Sequence, residues 1–213
     1  MQKILVFAVH PDDETLGCGG TIFKHLYDGD QVYCAFITNG NSFQSTLIPK
    51  LSEHYGFTDI EVLGFDEIYL DDLSLNDLIS PISQIISKYK PDILYIPNRS
   101  DAHSDHRKSF EAIMVCTKSF RYPFIKKILM CEVISETDFA PAIYDRTFLP
   151  NFFVDITEFW EKKREAIKLF EPELLSDPYT RSLSAIEALH RYRGSQISVM
   201  YAESFMLIKE VYQ

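Results

Sequence analysis

The chain lacks several features that would assign it to a class at once. Its four cysteines, at positions 18, 34, 116 and 131, form no C-x-x-C pair, so neither a zinc ribbon nor a redox motif is indicated. No apolar run approaches the roughly 20 residues that a transmembrane helix needs. The lysines and arginines are scattered, with no basic stripe that would follow a phosphate backbone. We therefore expect neither a membrane nor a nucleic acid as a partner.

The composition is that of a folded globular protein. Hydrophobic residues make up 46% of the 213 residues and can supply a full core, while an excess of acids gives a net charge of −10. The isolated cysteines indicate buried free thiols in a reducing compartment, so we expect a cytoplasmic protein. The apolar start, Met1 to Val9, runs directly into acidic residues without a cleavage site and is interpreted as a strand. With no linker or repeat, residues 1–213 are expected to form a single domain.

Short apolar runs alternate with helical patterns along most of the chain. The runs predict strands at Lys3–Val9, Gln31–Thr38, Ile60–Gly64, Ile93–Pro97, Lys127–Val133 and Phe152–Ile156. Apolar residues at helical spacing predict helices at Thr15–Tyr27, Leu75–Lys90, Asp105–Ser119, Glu158–Phe170 and Thr180–Tyr192. The apolar segment Val199–Val211 fits either type. This alternation predicts an α/β fold with a mostly parallel sheet covered by helices on both faces.

Two clusters of metal-ligating residues follow predicted strands. His10-Pro-Asp-Asp-Glu14 comes directly after the first strand, and His103-Ser-Asp-His106 comes shortly after the fourth. In open α/β sheets, ligands bind beyond the carboxyl ends of the strands, at the crevice where the strand order reverses. The two clusters are distant in the chain, but this topology predicts that they meet.

The residue types in these clusters are typical of a hydrolytic zinc site. A catalytic zinc takes three protein ligands and keeps a fourth position for water, whose pKa it lowers to about 7. Asp12 and Asp13 are adjacent, so one carboxylate can bind the metal while the other acts as a base. His103 and His106 either both bind metal, or one binds while the other works on substrate. Asp105 is placed to orient a neighbouring imidazole.

Some residues of the first cluster also have purely structural interpretations. Glu14 fits an acidic helix N-terminus equally well, since carboxylates are stabilised there. A helix cap needs one acid and no histidine, so capping does not account for the cluster as a whole. Gly17, Gly19 and Gly20 do not spell a dinucleotide-binding motif, and we expect them to permit close packing of a helix on the sheet.

The paired clusters resemble the PIG-L/LmbE-like family of zinc-dependent N-acetylglucosaminyl de-N-acetylases. That family carries an A-H-P-D-D-E motif after a strand and a later H-x-D-H motif, and only its first alanine is replaced here, by Val9. Weaker similarity extends over most of the chain, at Leu63–Phe65, Cys131–Val133, Phe153–Thr157 and Tyr201–Phe205. The resemblance implies a Rossmann-like three-layer α/β/α fold with a mostly parallel sheet.

The resemblance also implies a role for each residue of the clusters. The zinc ligands would be His10, Asp13 and His106. Asp12 would be the general base that activates the water and returns the proton to the leaving amine. His103, as an imidazolium held by Asp105, would stabilise the oxyanion of the tetrahedral intermediate. Ferrous iron or another divalent ion also suits this ligand set.

The substrate implied by the resemblance is a small-molecule N-acetylated amino sugar of the N-acetylglucosamine type, free or conjugated. Arg99 and Asp101 precede the second motif and either contact this sugar or form a solvated turn. Asp101 stands where mycothiol-type members carry a tyrosine, which favours other bacterial sugar deacetylases. The absence of a membrane anchor argues against a phosphatidylinositol-linked substrate.

Other functions remain open on the sequence. A metal-dependent amidase acting on another sugar conjugate has the same requirements as a deacetylase. A metallophosphoesterase also uses clustered His and Asp residues, but its two-metal site needs more ligands than the chain offers. A non-catalytic sugar-binding module would not need a complete set of ligands and base. The sequence also leaves open whether the chain forms a homo-oligomer.

Overall fold

A mixed seven-stranded sheet forms the centre of the computed structural model, which describes residues 1–212. Its strands are β1 (Lys3–Ala8), β2 (Gln31–Thr38), β3 (Asp59–Phe65), β4 (Ile93–Ile96), β5 (Lys127–Cys131), β6 (Phe152–Asp155) and β7 (Ala202–Glu210). The strand order is β3-β2-β1-β4-β5-β7-β6. Strands β1 to β5 pair in parallel, and β7 runs antiparallel to both of its neighbours. The expected mostly parallel sheet is confirmed.

Helices cover both faces of this sheet. They are α1 (Asp13–Tyr27), α2 (Ser42–Tyr55), α3 (Leu75–Tyr89), α4 (Ser104–Val115), α5 (Trp160–Lys168) and α6 (Leu183–Ser195). Because side chains alternate along a strand, Ile4 and Val6 of β1 pack in one core cluster and Leu5 and Phe7 in another. The first cluster contains residues of α1, α2, α5 and α6, and the second contains residues of α3 and α4. The three-layer α/β/α arrangement is therefore confirmed.

The strand order reverses between β1 and β4. The chain first runs outward from β1 through β2 to β3, then crosses over through α3 to place β4 on the other side of β1. The two strands pair in parallel from Ile4 with Ile93 to Val6 with Tyr95. Their carboxyl ends therefore open into the crevice where such folds bind ligands, and each of the two clusters follows one of these ends.

Helix α1 packs unusually close to the sheet. A Cβ atom on Gly17 would lie 3.0 Å from Cβ of Cys131, and one on Gly20 would lie 2.8 Å from side-chain atoms of Ile156. Both positions therefore need glycine for the close approach, as expected from the sequence. This packing fixes the helix that begins at Asp13.

Helix α2 was not predicted from the sequence. Its interior contains Pro49, which lacks an amide hydrogen and disfavours a helix. The helix starts with a capping box, in which Asn41 accepts the Gln44 amide at 3.0 Å and the Gln44 side chain accepts the Asn41 amide at 3.0 Å. This N-x-x-Q pattern is the sequence feature that indicates the start of α2.

The last third of the chain settles one open assignment and corrects one helix boundary. Within the undecided segment Val199–Val211, residues Ala202–Glu210 form β7, which inserts between β5 and β6. The last helix starts at Leu183 rather than Thr180, because the Ser182 side chain accepts the Ala185 amide and caps it. Within residues 1–212, no helix combines the length and apolarity required to cross a bilayer. The single domain over residues 1–213 stays a prediction.

Candidate active site

Asp13 is held in place by the loop that precedes it. Its Oδ2 atom accepts the backbone amides of Val9 at 3.0 Å and His10 at 2.8 Å. The same oxygen lies 3.3 Å from Nε2 of His106 and 3.9 Å from Nδ1 of His10. The turn after β1 therefore aims the carboxylate at both histidines.

His106 has one partnered and one unpartnered ring nitrogen. Nδ1 lies 2.8 Å from Oδ2 of Asp101, which fixes the ring and its tautomer. Nε2 is buried and lies 3.3 Å from Oδ2 of Asp13, but it forms no well-aligned hydrogen bond with any of the described residues. Buried polar atoms are almost always satisfied, so an unpartnered imidazole nitrogen facing a carboxylate is the arrangement expected of a metal ligand.

His10 completes a three-residue ligand set. Its Nε2 lies 3.2 Å from Oδ2 of Asp105, so its Nδ1 is the atom turned towards Asp13. The ring centroids of His10 and His106 are 5.4 Å apart. Donor atoms of His10, Asp13 and His106 all lie within 4.8 Å of one another. Two imidazole nitrogens and one carboxylate oxygen match the donor types of a catalytic zinc site, so the residues present fit the ion.

The contacts of Asp105 differ from the sequence expectation. Its carboxylate hydrogen bonds with His10 and accepts the amides of Ile68 at 2.6 Å and Leu70 at 3.3 Å. The Nδ1 atom of His103 lies 4.0 Å from this carboxylate and instead accepts the Asp105 backbone amide at 3.1 Å. His103 is the N-cap of α4, which explains the difference. Asp105 therefore orients His10 rather than His103.

The cap also determines the protonation of His103. Because Nδ1 accepts a hydrogen bond, the proton of the neutral ring resides on Nε2. Burial, reinforced by nearby His10 and His106, lowers the pKa of His103. The ring is therefore a neutral hydrogen-bond donor at neutral pH, and the expected imidazolium is not supported.

The charges on Asp13 and His106 stabilise each other. Burial alone would raise the pKa of Asp13, but the adjacent His106 and His10 hold it well below its usual range. Burial alone would likewise lower the pKa of His106, but Asp13 and Asp101 raise it well above the ordinary value. A divalent cation bound between them would displace the proton of His106, so metal affinity should rise with pH.

Asp12 faces the same cleft but has different partners. Its Oδ2 atom accepts hydrogen bonds from the Arg181 guanidinium and from Nε2 of Gln44, the latter at 3.4 Å. Burial and the neighbouring Asp13 raise the pKa of Asp12 to about 7, although Arg181 opposes the shift. A carboxylate with this pKa is suited to accept and release a proton near neutral pH.

Asp101 and Arg99 do not occupy the positions expected of sugar contacts. Asp101 is fully buried behind His106, and its Oδ1 accepts hydrogen bonds from Asn98 and Thr137, each at 2.8 Å. Arg99 points away from the cluster and donates to the main-chain carbonyl of Asp145. Asp101 is thus a positioning residue for His106.

Glu14 has a structural role in the loop. The side chain is buried, accepts the Asp12 backbone amide at 3.1 Å and accepts the Thr15 hydroxyl at 2.6 Å. Burial raises the pKa of Glu14 to about 8. It does not line the cleft and braces the turn that carries Asp12 and Asp13.

The cluster opens into a cleft of about 350 Å³. This volume is in the range of small-molecule binding sites. One wall is polar, with Glu173 accepting hydrogen bonds from Asn41 at 2.7 Å and Gln44 at 3.2 Å. The lining also includes apolar side chains and two further carboxylates, namely Leu16, Ile68, Val133, Glu67 and Glu136. Such a surface offers acceptors for hydroxyl groups and apolar contacts for ring faces.

Arg181, Gln44, Asn41 and Glu173 were missed by sequence reasoning. They come from α2 and from the segment before α6, far from either motif. The capping box at the start of α2 was the only signal for Asn41 and Gln44. No local pattern identifies Arg181 or Glu173, because their place in the cleft depends on how the C-terminal segment packs.

Comparisons with known proteins show which family the chain resembles. The family model described as PIG-L: GlcNAc-PI de-N-acetylase matches residues 5–117, which include both clusters. Diacetylchitobiose deacetylase of Thermococcus kodakarensis is 25% identical over 230 residues, covering 100% of this chain and 85% of the relative. The uncharacterized deacetylase YaiS of Escherichia coli is 30% identical, covering 68% of this chain and 81% of the relative. The crystal structure of the conserved protein TT1542 from Thermus thermophilus has a TM-score of 0.77 at 22% identity, covering 100% and 97% of the two chains.

Proposed function

The chain belongs to the PIG-L family of de-N-acetylases, and on this basis we propose that it hydrolyses the acetamide of an N-acetylated amino sugar. The products are the free amine and acetate. The single observation that carries the proposal for this chain is the buried, unpartnered Nε2 of His106, which meets Asp13 and His10 beside Asp12. Family membership favours this reaction over phosphate-ester hydrolysis.

Three residues would hold the metal: His10, Asp13 and His106. Zinc is our first choice because two nitrogen donors and one oxygen donor suit it, and ferrous iron is accepted by similar sets. A bound divalent ion supplies Lewis acidity, which polarises the acetyl carbonyl and acidifies water. Asp101 and Asp105 orient the two imidazoles, each through the ring nitrogen that faces away from Asp13.

Asp12 is the general base in this proposal. Its carboxylate removes a proton as water attacks the carbonyl carbon, then delivers a proton to the departing nitrogen as the C–N bond breaks. Arg181 and Gln44 anchor Oδ2 of Asp12, which limits its motion. The pKa of about 7 allows both directions of transfer in one cycle.

His103 stabilises the charge that develops on the carbonyl oxygen. As the N-cap of α4, its Nδ1 is fixed by the Asp105 amide, which leaves Nε2–H of this cleft-lining ring as the donor. A neutral donor that is already oriented needs no reorganisation as the tetrahedral intermediate forms.

The cleft supports an N-acetylglucosamine-type substrate, free or conjugated. The carboxylates of Glu67, Glu136 and Glu173 can accept hydrogen bonds from sugar hydroxyls, and Ile68 and Val133 can pack against a ring face. The Thermococcus relative is named for diacetylchitobiose, which makes that disaccharide and N-acetylglucosamine the first substrates to test.

An amine-release assay on the zinc-loaded protein tests the proposal. Asp12→Asn preserves the shape of the base but removes its basicity, so kcat should fall by about 10²–10⁴-fold while zinc content stays at the wild-type level. Asp28→Asn, which changes an exposed aspartate of the same charge, is the matched control and should keep full activity. Wild-type turnover in Asp12→Asn would refute the role of the base.

The cellular setting is also part of the proposal. The four cysteines are free and buried, which supports a reducing, cytoplasmic environment.

A further inference from the structure

A second cleft, of about 480 Å³, is lined mainly by charged side chains. Its lining includes four cationic side chains, those of Arg99, Arg107, Lys108 and Arg146. The chain as a whole carries a net charge of −10, whereas cations outnumber carboxylates in this lining. We refer to this cavity as the basic cleft.

None of these four cations is neutralised by a carboxylate within residues 1–212. Arg107 donates through Nη1 to the main-chain carbonyls of Asp101 at 2.7 Å and Ala102 at 2.6 Å, and Arg99 donates to a main-chain carbonyl as well. Over the same described range, Lys108 and Arg146 form no side-chain hydrogen bond or salt bridge. Carbonyl contacts orient the guanidinium groups of Arg99 and Arg107 but leave their charges unpaired, so both can still bind an anion.

Three carboxylates also line the basic cleft and limit what it can bind. Asp71, Glu111 and Asp145 lie in the lining, but none makes a salt bridge with the four cations. A polyanion would be repelled by these acids. A ligand with one phosphate group and several hydroxyls would satisfy both sets, because hydroxyls donate to carboxylates while the phosphate accepts from Arg and Lys.

The basic cleft and the catalytic cleft are formed by the same chain connections. The connections that follow β3, β4 and β5 each contribute to both cavities. After β3, Ile68 lines the catalytic cleft and Asp71 lines the basic cleft. After β4, His103 lines the catalytic cleft and Arg99 lines the basic cleft. Arg107 follows the metal-ligand candidate His106 directly in the chain. The two cavities therefore belong to the same edge of the sheet, where the carboxyl ends of β3, β4 and β5 lie.

We propose that the basic cleft binds the phosphate group of a sugar phosphate. Two sources share this chemistry: a phosphate carried by the amino-sugar substrate beyond its acetamide, or a separate phosphorylated ligand. The first source rests on the deacetylase function proposed above, and the second does not.

Binding of inorganic phosphate tests the site itself. Isothermal titration of the zinc-loaded full chain at constant ionic strength should show saturable binding that weakens about tenfold in Lys108→Gln and in Arg146→Gln. Lys50→Gln, which removes an exposed charge on α2, is the matched control and should bind like the wild type. Equal phosphate affinity in all four proteins, or no saturable binding in the wild type, would overturn the proposal.

Hydrolysis of paired sugars identifies the source of the phosphate. If the substrate carries it, the ratio of kcat/KM for N-acetylglucosamine 1-phosphate to that for N-acetylglucosamine should fall about tenfold in Arg146→Gln and not in Lys50→Gln. An unchanged ratio together with weakened phosphate binding assigns the site to a separate ligand. Phosphate binding that depends on Lys108 and Arg146, without amine release from any sugar, would retain the basic cleft and reject the proposed deacetylase.

Discussion

At the scale of single residues, the site depends on which residue each of the two ring nitrogens of His10 and His106 faces. His106 turns Nδ1 to Asp101 and Nε2 to Asp13, while His10 turns Nε2 to Asp105 and Nδ1 to Asp13. One nitrogen of each ring is therefore fixed by a carboxylate, and the other is directed to a common point. This division separates the residues that would bind metal from those that orient them.

Replacing Asp101 tests its assignment as a positioning residue. In Asp101→Asn the amide cannot hold the His106 tautomer as strongly, so zinc affinity should fall about 10–100-fold, measured by competition with a chelator. The kcat of the fully loaded variant should change less than the affinity. A raised KM for sugar with unchanged zinc affinity would instead return Asp101 to the sugar-contact role expected from the sequence.

His103 combines a catalytic and a capping role that two variants can separate. His103→Ala removes both, so kcat should fall about 10²–10³-fold and the free energy of unfolding by about 1 kcal/mol. His103→Asn keeps a good N-cap, so denaturant titration should show stability near that of the wild type without recovery of kcat. Zinc content should be retained in both variants, and its loss in step with activity would make His103 a ligand.

Sequence reasoning reached the motif residues but not all of their contacts. The clusters around His10 and His106 were identified because their residue types and their places after strands carry the signal. The partner of Asp105 was assigned incorrectly, since residues two apart at a helix start cannot show whether the His103 ring is already used as a cap. Arg181 was missed because its contact with Asp12 spans most of the chain.

At the scale of secondary structure elements, α1 is held by a buried ionic clamp. The helix departs from helical geometry at Cys18, which frees backbone groups on either side. Lys163 Nζ donates to the Leu16 carbonyl at 2.8 Å, and Glu203 accepts the amides of Gly20 at 2.8 Å and Thr21 at 2.7 Å. Lys163 and Glu203 also pair with each other at 2.6 Å. The clamp thus stabilises the kinked helix whose first residue is Asp13.

Breaking this clamp should be costly. Lys163→Met leaves Glu203 buried and unpaired, so the free energy of unfolding should fall by about 3–5 kcal/mol in urea titration. The double variant Lys163→Met/Glu203→Gln should recover part of that loss, because no uncompensated charge remains. Lys168→Met on the same helix, whose pair with Glu165 is exposed, is the control and should change stability by less than about 1 kcal/mol. Equal losses of unfolding free energy in Lys163→Met and Lys168→Met would show that the buried pair stabilises the protein no more than the exposed pair does.

Two elements, α2 and β7, were not predicted from the sequence, and each omission has a physical reason. The interior Pro49 concealed α2, although its capping box was readable. The segment that forms β7 has an apolar pattern compatible with either type, and its strand conformation depends on pairing with β5 and β6. Short apolar segments of this kind are decided by tertiary contacts rather than by propensity.

At the scale of the whole molecule, the topology explains why the two motifs meet. Alternating strand and helix patterns predicted a mostly parallel sheet, and right-handed crossovers leave few possible strand orders. Placing β1 between β2 and β4 brings the carboxyl ends of β1 and β4 together and forms the catalytic cleft there. The antiparallel insertion of β7 between β5 and β6 had no such rule behind it, since the handedness rule applies only to connections between parallel strands.

Anomalous diffraction at the zinc edge, on crystals of the zinc-loaded protein, tests the central claim most directly. The account predicts one peak about 2.0–2.2 Å from Nδ1 of His10, the carboxylate of Asp13 and Nε2 of His106, with Asp12 outside the coordination sphere. A peak bound by other residues, or the absence of any peak shared by His10 and His106 in a protein that contains zinc, would contradict it.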